Sequence, residues 1–502
     1  MSRYIILIFL FLTLGCTDMI NLYQLDDKER EPEDLSKNNS IIFNKGNLVA
    51  SSRYVHIDIS IYNVDSMSFG DDKGGWTGWI NYSTSYNYKI TKGNGPRIIT
   101  AKFRNGPGTE ITFTAPITLI EKCNLSTPYD NANLGQTLSS SYDGKTFASG
   151  IYTYNNKGAV VIYQFNDSTY EWISSLVSSI DVKTNGYFGS SVSLSGDGNT
   201  LAVGAYQDYD TLTAQGKVYI FNRNTGGENQ WGLDATLKAS DESEYAKFGF
   251  SVSLNEDGTK LVVGAENKSP HGSVYLFTNN GTWQQTHVIH SLIVDDAIMS
   301  ERFGYSVMLS GNGMEIFIGA PNFNANQGRV YWYSWESMTL QSTIVASNGN
   351  KNDNFGENIS ITKDGTSLVV SARLADNNGT DKGLVYYYEK ETDEFIEKSI
   401  IESHNSGNGY QFGSSCSLSP DGKILVVGSP YYKTSLFSNG AAEIFNIDGE
   451  SITWIQLIQP LDLENHDQFG NSISISEDGT YKFIGSMNDD FSMNNEGSIY
   501  VY

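Results

Sequence analysis

Acidic residues recur in a set of short turns, and they are the first candidates for chemistry because carboxylates bind metal ions. The turns lie in the segments SGDGN, NEDGT, SGNGM, TKDGT, SPDGK and SEDGT. Calcium takes about six to eight oxygen ligands, whereas each segment offers at most two acids. We therefore predict no cofactor and no metal at these turns, with calcium left open as the alternative.

Residues that usually carry catalysis are few and scattered. His287 and His290 stand three apart on a predicted strand, so they face opposite sides of it. The sequence has no Gly-x-Ser-x-Gly elbow, no phosphate loop and no Cys-x-x-Cys pair. Asp295-Asp296 and Asp489-Asp490 could serve a hydrolase, although solvated loop charge is the favoured interpretation. The sequence predicts a non-enzyme without catalytic residues, and a secreted hydrolase or lyase is the main alternative.

Binding has better support, because aromatic residues beside Asp and Asn recur in long loops. Rigid rings flanked by polar groups are typical of protein and glycan contact surfaces. The alternative is that loop tyrosines simply cap the sheets. The predicted ligand-binding residues are Tyr206, Asp208, Tyr209, Phe323, Asp376, Tyr431, Tyr432, Phe437, Asp489 and Phe491.

One module supplies the strands that must position these loops. Residues 188–221 contain three short strands: an alternating SVSLS, a compact apolar run at 201–204, and a β-branched and aromatic strand at 218–221. Asp197-Gly198 joins the first two strands, because this dipeptide tolerates the positive φ angles of a tight hairpin turn. The turn thereby fixes the register of the pair.

The module recurs along the chain. Its leading glycine appears seven times, at intervals of 52 to 60 residues, as Gly135, Gly189, Gly249, Gly304, Gly356, Gly413 and Gly470. Each copy carries an Asp-Gly or Asn-Gly turn, and a fourth strand is predicted around Trp172, Trp231, Trp283 and Trp454. Repeats of this length indicate a propeller or another repeat fold.

The geometry of an up-and-down sheet separates the two ends of each repeat. Loops between the second and third strands emerge at the same end as the segments that lead into the first strand, opposite the Asp-Gly turns. The predicted binding loops therefore share one face.

The module begins with Phe-Gly, has Val-Gly-Ala in its middle and ends on strands such as GKVYIF, and it resembles the FG-GAP repeat of integrin α subunits. The resemblance spans residues 134–502. It implies an all-β fold, a seven-bladed β-propeller of four-stranded blades. Calcium loops of this family use several carboxylates at alternate positions, which these turns do not match.

The last copy stops at Tyr502, after its third strand, so its outer strand must come from elsewhere or the sheet keeps a bare edge. Counting back from Gly135 by the usual spacing leads to ITLIEK, and we predict that 117–122 closes the ring as the outer strand of the last blade. The propeller would then comprise 117–502.

Residues 40–116 form a separate strand-rich segment with about seven short strands, a number typical of a two-sheet sandwich. The stretch from YKITKGNG onward resembles bacterial immunoglobulin-like domains. We predict an Ig-like β-sandwich here, with Trp76 and Trp79 as core or sheet cover.

The N-terminus has the proportions of a secretory signal peptide at 1–15, with Arg3 ahead of a short apolar run. The ending Leu-Thr-Leu-Gly-Cys resembles a bacterial lipobox, although Thr13 stands where leucine is preferred. The resemblance implies lipidation of Cys16; ordinary cleavage or a retained anchor is the alternative. Residues 16–39 are charged and are predicted to be a flexible tether.

The net charge of −24 disfavours nucleic acid as a partner, since phosphate binding needs clustered Lys and Arg. We therefore expect an exported, lipid-anchored surface protein whose propeller binds an extracellular protein or glycan. A structural component of an envelope or virion is a further alternative.

Overall fold

The structure is a computed structural model. It describes residues 40–502 except 44–48, 51–53, 62–63, 72–75, 90–94, 107–109, 120–123, 127–131, 167–170, 180, 226, 228, 293–299, 377–378, 406, 435–436, 461–465 and 490–495. The predicted signal peptide 1–15, Cys16 and the tether 16–39 lie outside the described residues.

The chain forms two compact units. The first comprises residues up to 123 together with 166–171 and 502, and the second comprises 124–165 and 172–501. The strands of the first unit are β1 (Ser40–Phe43), β2 (Val49–Ala50), β3 (Tyr54–Ser60), β4 (Ser66–Asp71), β5 (Ile80–Asn81), β6 (Ser85–Lys89), β7 (Gly95–Arg104) and β8 (Glu110–Leu119). The predicted boundary after 116 falls inside β8 and is therefore wrong.

These strands form two sheets, in the orders β1-β3-β6 and β2-β8-β7-β4-β5. Ile57 and Ile59 of β3 share one apolar core with Phe69 and Phe103 of the other sheet, so the two sheets pack face to face. Trp76 lies outside that core, with its ring centroid 4.7 Å from Lys102 Nζ.

The second unit contains seven four-stranded sheets. The first sheet consists of β10 (Thr137–Ser140), β11 (Thr146–Ile151), β12 (Ala159–Asn166) and β13 (Glu171–Val177). The second consists of β14 (Ser191–Leu194), β15 (Thr200–Ala205), β16 (Lys217–Asn222) and β17 (Gly232–Leu237). The third consists of β18 (Ser251–Leu254), β19 (Lys260–Ala265), β20 (Ser273–Asn279) and β21 (Trp283–His290). The fourth consists of β22 (Ser306–Leu309), β23 (Glu315–Ala320), β24 (Arg329–Ser334) and β25 (Leu340–Ile344). The fifth consists of β26 (Ile359–Ile361), β27 (Ser367–Ala372), β28 (Leu384–Glu391) and β29 (Glu394–Ile401).

The sixth sheet is β30 (Ser415–Leu418), β31 (Ile424–Ser429), β34 (Ala441–Asp448) and β35 (Ser451–Ile458), with the small hairpin β32 (Lys433–Thr434) and β33 (Phe437–Ser438) between its middle strands. The seventh is β36 (Phe469–Ile475), β37 (Lys482–Ser486), β38 (Ser498–Val501) and β9 (Asn124–Ser126). Helical structure in the described residues is limited to single turns at Tyr154–Asn156 and Phe323–Asn326. The all-β prediction is confirmed, and the repeated four-stranded sheets are consistent with a β-propeller.

Hydrogen bonds between first strands join the sheets into a closed ring. A polar side chain in each first strand, or just before it, donates to a backbone carbonyl of the next sheet. The bonds are Thr137 Oγ1 to Gly189 (3.1 Å), Ser191 Oγ to Gly249 (2.9 Å), Ser251 Oγ to Gly304 (2.8 Å), Ser306 Oγ to Gly356 (2.7 Å), Asn358 Nδ2 to Ser414 (2.7 Å), Ser415 Oγ to Gly470 (2.8 Å) and Ser472 Oγ to Gly135. The last bond leads from the seventh sheet back to the first.

Close approach of neighbouring sheets explains the glycine in the middle of each module. A Cβ at Gly204 would overlap the carbonyl oxygen of Gly249 in the next sheet, and Gly264 stands in the same relation to Gly304. Any larger residue at Gly204 must push the two sheets apart. The fifth sheet differs, because Ser371 occupies the equivalent place.

The seventh sheet takes its outer strand from the start of the second unit. β9 pairs antiparallel with β38, with Leu125 opposite Ile499. The predicted segment 117–122 is therefore wrong: Ile117 pairs with Arg97 inside the first unit, because the ten-residue β7 pairs β8 as far as Leu119. Residues 117–119 thus continue β8 in the first unit.

Candidate functional site

Two predicted binding residues are buried and bonded within the fold. Asp208 is 0% exposed and accepts a hydrogen bond from the Tyr219 hydroxyl at 2.5 Å. Asp489, at the equivalent place of the last sheet, is 5% exposed and accepts from Tyr500 at 2.8 Å. As exposed contact residues both predictions are wrong, because these acids serve tyrosines of the third strands.

Three predicted residues do lie on the surface. Tyr209 and Tyr431 are each 39% exposed, and Asp376 is exposed with its Oδ1 accepting from the Asp381 amide at 2.9 Å. Their role in binding stays a prediction.

The remaining predicted residues are half-buried or lie outside the part of the chain that the structure describes. Phe323 packs with its ring centroid 3.6 Å from the Arg329 guanidinium, and the Tyr432 ring is 4.9 Å from that of Tyr410. The side chain of Phe437 and the whole of Phe491 lie outside the described residues. The last predicted residue, Tyr206, is part of a larger arrangement.

Five aromatic rings from the first four sheets touch in succession. Their centroids are 5.4 Å apart for Tyr152 and Tyr187, 5.6 Å for Tyr187 and Tyr206, 5.4 Å for Tyr206 and Phe250, and 5.2 Å for Phe250 and Tyr305. We call this row the aromatic strip. Tyr152 and Tyr206 follow second strands, whereas Phe250 and Tyr305 directly precede first strands, so the strip lies at the long-loop end of the ring.

The aromatic strip follows the inner rim of the ring at the long-loop end. We call this rim the mouth. First strands carry the bonds that close the ring, so residues that lead into them stand closest to its axis. Tyr187 and its counterparts occupy a repeated turn at this rim.

The residue before each Phe-Gly, or before Leu134-Gly135, adopts a left-handed backbone conformation. The φ angles are 55° at Asn133, 58° at Tyr187, 58° at Lys247, 59° at Arg302, 58° at Asn354, 53° at Gln411 and 57° at Gln468. Left-handed φ costs a non-glycine residue about 1–2 kcal/mol, so the surrounding fold must impose it. The turn thereby fixes the direction in which these side chains enter the mouth.

Two cations from this turn flank a buried carboxylate. Glu266 is 1% exposed; its Oε1 accepts from Lys247 Nζ at 2.7 Å and its Oε2 accepts from Arg302 Nε. The guanidinium of Arg302 also lies 4.4 Å from the ring centroid of Tyr305, and Lys247 Nζ lies 5.5 Å from that of Phe250. In such cation–π contacts the face of the ring attracts the positive charge.

A second arginine continues the network on the fifth sheet. Arg373 donates from Nε to Glu357 and from Nη1 to Gln411 Oε1 at 2.8 Å. Tyr305 donates its hydroxyl to the other oxygen of Glu357 at 3.4 Å. We call Lys247, Arg302, Arg373, Glu266 and Glu357 the cation cluster.

The electrostatics of the mouth differ from those of the chain as a whole. The cation cluster has three positive and two negative side chains, whereas the chain has a net charge of −24. Burial would raise the pKa of Glu266, but hydrogen bonds from Arg302 and Lys247 outweigh it and hold that pKa below its ordinary value. Burial, together with nearby tyrosine and carboxylate groups, raises the pKa of Tyr206 to about 12. The cation cluster is thus an ionised site beside aromatic rings, with an excess of one positive charge.

The Asp-Gly end of the ring has a uniform construction. Backbone amides there donate to carbonyls of the next turn: Tyr142 to Gly196 (2.9 Å), Asp197 to Glu256 (2.9 Å), Glu256 to Gly311 (2.9 Å), Asn312 to Lys363 (2.8 Å), Lys363 to Pro420 (3.0 Å) and Glu477 to Tyr142 (2.7 Å). These bonds tie the turns to each other around the axis.

Tyr142 lies across this end. A Cβ at Gly196 would be 2.7 Å from the Tyr142 ring, and a Cβ at Gly311 of the fourth sheet would overlap its hydroxyl. Lys363 also donates to Glu477 beside it. The side chain of the first sheet therefore reaches the fourth, and it obstructs the axis at the Asp-Gly end.

The turn acids are engaged in their own turns. Asp197 Oδ1 accepts from Ser195 Oγ at 2.5 Å and from the Asn199 amide at 3.0 Å, and Asp478 repeats the pattern with Ser476 and Thr480. Among the residues that the structure describes, no group of three or more His, Cys, Asp or Glu is arranged to hold a metal ion.

Comparison with protein families matches the repeat directly. A family model described as the FG-GAP repeat matches residues 174–221, 231–277, 338–388 and 455–502. The chain is thus similar to the FG-GAP repeat over these four segments. The match at 174–221 begins in β13 and ends in β16, so one FG-GAP repeat joins the outer strand of one sheet to three strands of the next.

Integrin α subunits share this sequence signal. Integrin alpha-11 of Homo sapiens is 31% identical over 160 residues, which is 29% of this chain and 13% of that protein. Integrin alpha-11 of Mus musculus is 30% identical over the same length and shares. The chain thus spans about an eighth of the length of these relatives, and the predicted FG-GAP resemblance is confirmed.

Two solved structures share the fold only loosely. A protein of Bacteroides fragilis assigned as a 6-phosphogluconolactonase has a TM-score of 0.45 and 15% identity, covering 80% of this chain and 97% of its own. The RRP9 WD40 repeats have a TM-score of 0.46 and 10% identity, covering 76% and 99%.

Sequence reasoning missed most of the mouth. It identified Tyr206 but not Tyr187, Phe250, Arg302 or Arg373, because it considered only aromatic residues beside Asp and Asn in the long loops. Comparing the repeats position by position reveals the signal, since the residues next to Phe-Gly vary between repeats while Phe-Gly itself changes only to Leu134-Gly135 in the first.

Proposed function

We propose that this protein is a surface recognition protein whose mouth binds an extracellular partner. The observation that carries the proposal is the coincidence of the aromatic strip and the cation cluster at one end of the ring. Aromatic residues and arginine are the side chains most enriched at the centres of protein interfaces. The exposed Tyr209 and Tyr431 would extend this surface outward.

In this proposal the seven sheets are the blades of a seven-bladed FG-GAP propeller, and the first unit is an Ig-like sandwich. The likeness to integrin α subunits supports a recognition or adhesion function over an enzymatic one, and it suggests an extracellular or cell-surface protein. No helix among the described residues is long and apolar enough to cross a membrane. Attachment would instead come from lipidation at Cys16.

The proposed partner is an extracellular protein or glycan, bound without a metal at the turn acids. Internal hydrogen bonds already engage carboxylates such as Asp197 and Asp478, which supports a structural role for them. Addition of calcium should therefore leave ligand capture unchanged.

Binding to a panel of extracellular proteins and glycans tests the choice of end. Arg302→Gln is expected to weaken capture of any ligand by about tenfold, the order of a contact at the centre of an interface, and the outer Tyr209→Ala and Tyr431→Ala are expected to weaken it by less. The matched control is Lys423→Gln, which removes an exposed cation beside Asp421 at the Asp-Gly end. Loss of capture in the control with retention in the other three variants would overturn the proposal.

Surface labelling tests the location. A membrane-impermeant reagent should label the intact chain on cells, and Cys16→Ala should release it from the membrane fraction. Labelling only after cell lysis would contradict export.

A further inference from the structure

We propose that the mouth binds a carboxylate presented by an Asp or Glu side chain of a partner protein, with Arg302 and Arg373 as the binding residues. This inference rests on the proposed recognition function and specifies its chemistry. It begins from the hydrogen bonds that the two guanidinium groups leave unmade.

Each arginine is anchored by its Nε and keeps at least one Nη group without an acceptor among the described residues. Nε of Arg302 donates to Glu266, and its Nη groups donate to no acceptor among the described residues. Nε of Arg373 donates to Glu357 and its Nη1 to Gln411, while its Nη2 has no acceptor in the described part of the chain. The side chains of Arg302 and Arg373 are 33% and 30% exposed, so each is partly accessible from the solvent.

Anchoring prepares both groups for an anion. A guanidinium presents its N–H donors in a rigid plane that matches the two oxygens of a carboxylate. Glu266 is 1% exposed and Glu357 is 8% exposed, so each arginine is held by a carboxylate that stays in place. Less side-chain entropy is then lost when a ligand binds.

The two arginines are parts of one network. Arg302 stacks 4.4 Å from the Tyr305 ring centroid, the Tyr305 hydroxyl donates to Glu357, and Glu357 accepts from Arg373. Because the cation cluster has one positive charge in excess, the addition of one carboxylate would neutralise it.

The aromatic strip favours a protein side chain over a sugar ring. Sugars stack on open, flat ring faces, but Arg302 covers Tyr305 and Lys247 lies over Phe250. Neighbouring rings are also inclined by 48° to 78°, so they form no common platform. The strip fits the apolar flank of a protein loop that carries the acid.

To test this proposal, a library of random peptide loops is displayed on yeast, and loops that bind the full chain are selected. Loops that bind at the mouth should be enriched in Asp or Glu. Changing the selected acid to its amide should weaken binding about tenfold, and so should Arg302→Gln. Both changes together should weaken binding no more than either alone, because each removes the same contact.

The substitution is compatible with the fold. Gln411 and Gln468 occupy the equivalent left-handed position in other repeats, with φ of 53° and 57°. Thermal unfolding of Arg302→Gln checks this, and Arg373→Gln provides a second variant outside that turn. Lys423→Gln is the control for loss of a surface cation.

The other outcomes separate the two proposals. Neutral or basic loops that bind wild type and lose binding with Tyr209→Ala would overturn the carboxylate inference and leave the recognition face standing. Loops whose binding is weakened only by Lys423→Gln would overturn both the carboxylate inference and the recognition face. Arg302-dependent binding of a glucuronate oligosaccharide, without enrichment of acidic loops, would overturn the assignment of a protein partner.

Discussion

The two ends of the ring are built from the same repeats, but the turn residue is always Asp or Asn at one end, whereas it varies more widely between repeats at the other. At the Asp-Gly end, backbone bonds join successive turns, the acids close their own turns, and Tyr142 obstructs the axis. At the long-loop end, an equally regular backbone turn carries Tyr, Lys, Arg, Gln or Asn. Regular backbone with variable side chains is the construction expected of a binding surface on a rigid scaffold.

The comparison also shows that residue type alone does not identify the binding end. Acids occur at both ends, yet Asp197 and Asp208 are each bonded within the fold. The distinguishing feature of the mouth is a set of anchored cations that retain open donors. The following predictions test the difference between the ends, starting with a change that should affect both.

Gly204→Val should destabilise the whole ring. Its side chain would overlap the carbonyl oxygen of Gly249, and we expect a loss of about 3 kcal/mol in the free energy of unfolding. Denaturant unfolding measures this. The control Ser371→Ala, at the equivalent place of the fifth sheet, should change stability by less than about 0.5 kcal/mol. Equal effects of the two substitutions would contradict the close packing of sheets.

Tyr142→Ala should open the Asp-Gly end without affecting the mouth. Removing a half-buried ring that packs on Gly196 and Gly311 should cost about 2 kcal/mol, measured by denaturant unfolding. Affinity for a mouth-binding loop should remain that of wild type. A fall in affinity without a fall in stability would show that the ends are not separate.

Tyr219→Phe should lower stability and leave binding unchanged. The substitution removes the hydroxyl that donates to buried Asp208, at an expected cost of about 1.5 kcal/mol. Thermal unfolding and an affinity measurement on the same sample check both parts. Exposed Asp376→Asn serves as the control, with stability within about 0.5 kcal/mol of wild type. Weaker binding by the Phe variant would restore Asp208 as a contact residue.

Asp210→Asn should have the smallest effect, and the effect should depend on pH. Hydrogen bonds from Lys217 and Lys238 lower the pKa of Asp210 to about 2. Because its folded-state pKa is depressed, the stabilisation is present above about pH 4 and is lost as the pH falls toward 2. The group is 39% exposed, so we expect about 0.5 kcal/mol at pH 7.

Comparing the unfolding free energies of wild type and this variant at several pH values measures the effect. A difference that persists at the acidic limit would contradict the ion pair as its cause.

The repeat pattern was predictable because each module repeats its turns and glycines. Asp197-Gly198 does join β14 to β15, and the segments around Trp172 and Trp454 do form outer strands. The closing strand was misplaced because β9 is short and polar, whereas 117–122 begins with a more apolar run that β7 holds in the first unit. A strand of three residues that pairs with a partner far away in the sequence carries little sequence pattern from which that pairing could be predicted.

The mouth was harder to predict for a physical reason. Its geometry depends on left-handed φ at residues such as Tyr187 and Arg302, which residue type disfavours and only the surrounding fold enforces. The burial of Asp208 was missed because its partner Tyr219 lies on another strand, although tyrosine recurs at that place in five of the repeats.

Hydrogen exchange of the full chain, with and without a selected loop, tests the central claim most directly. We expect protection of backbone amides in the segments that carry Tyr187, Lys247 and Arg302 at the mouth. Amides of the turns around Asp197 and Asp478 should exchange as in the free protein. Protection confined to those turns, with the mouth unchanged, would contradict the assignment of recognition to the long-loop end.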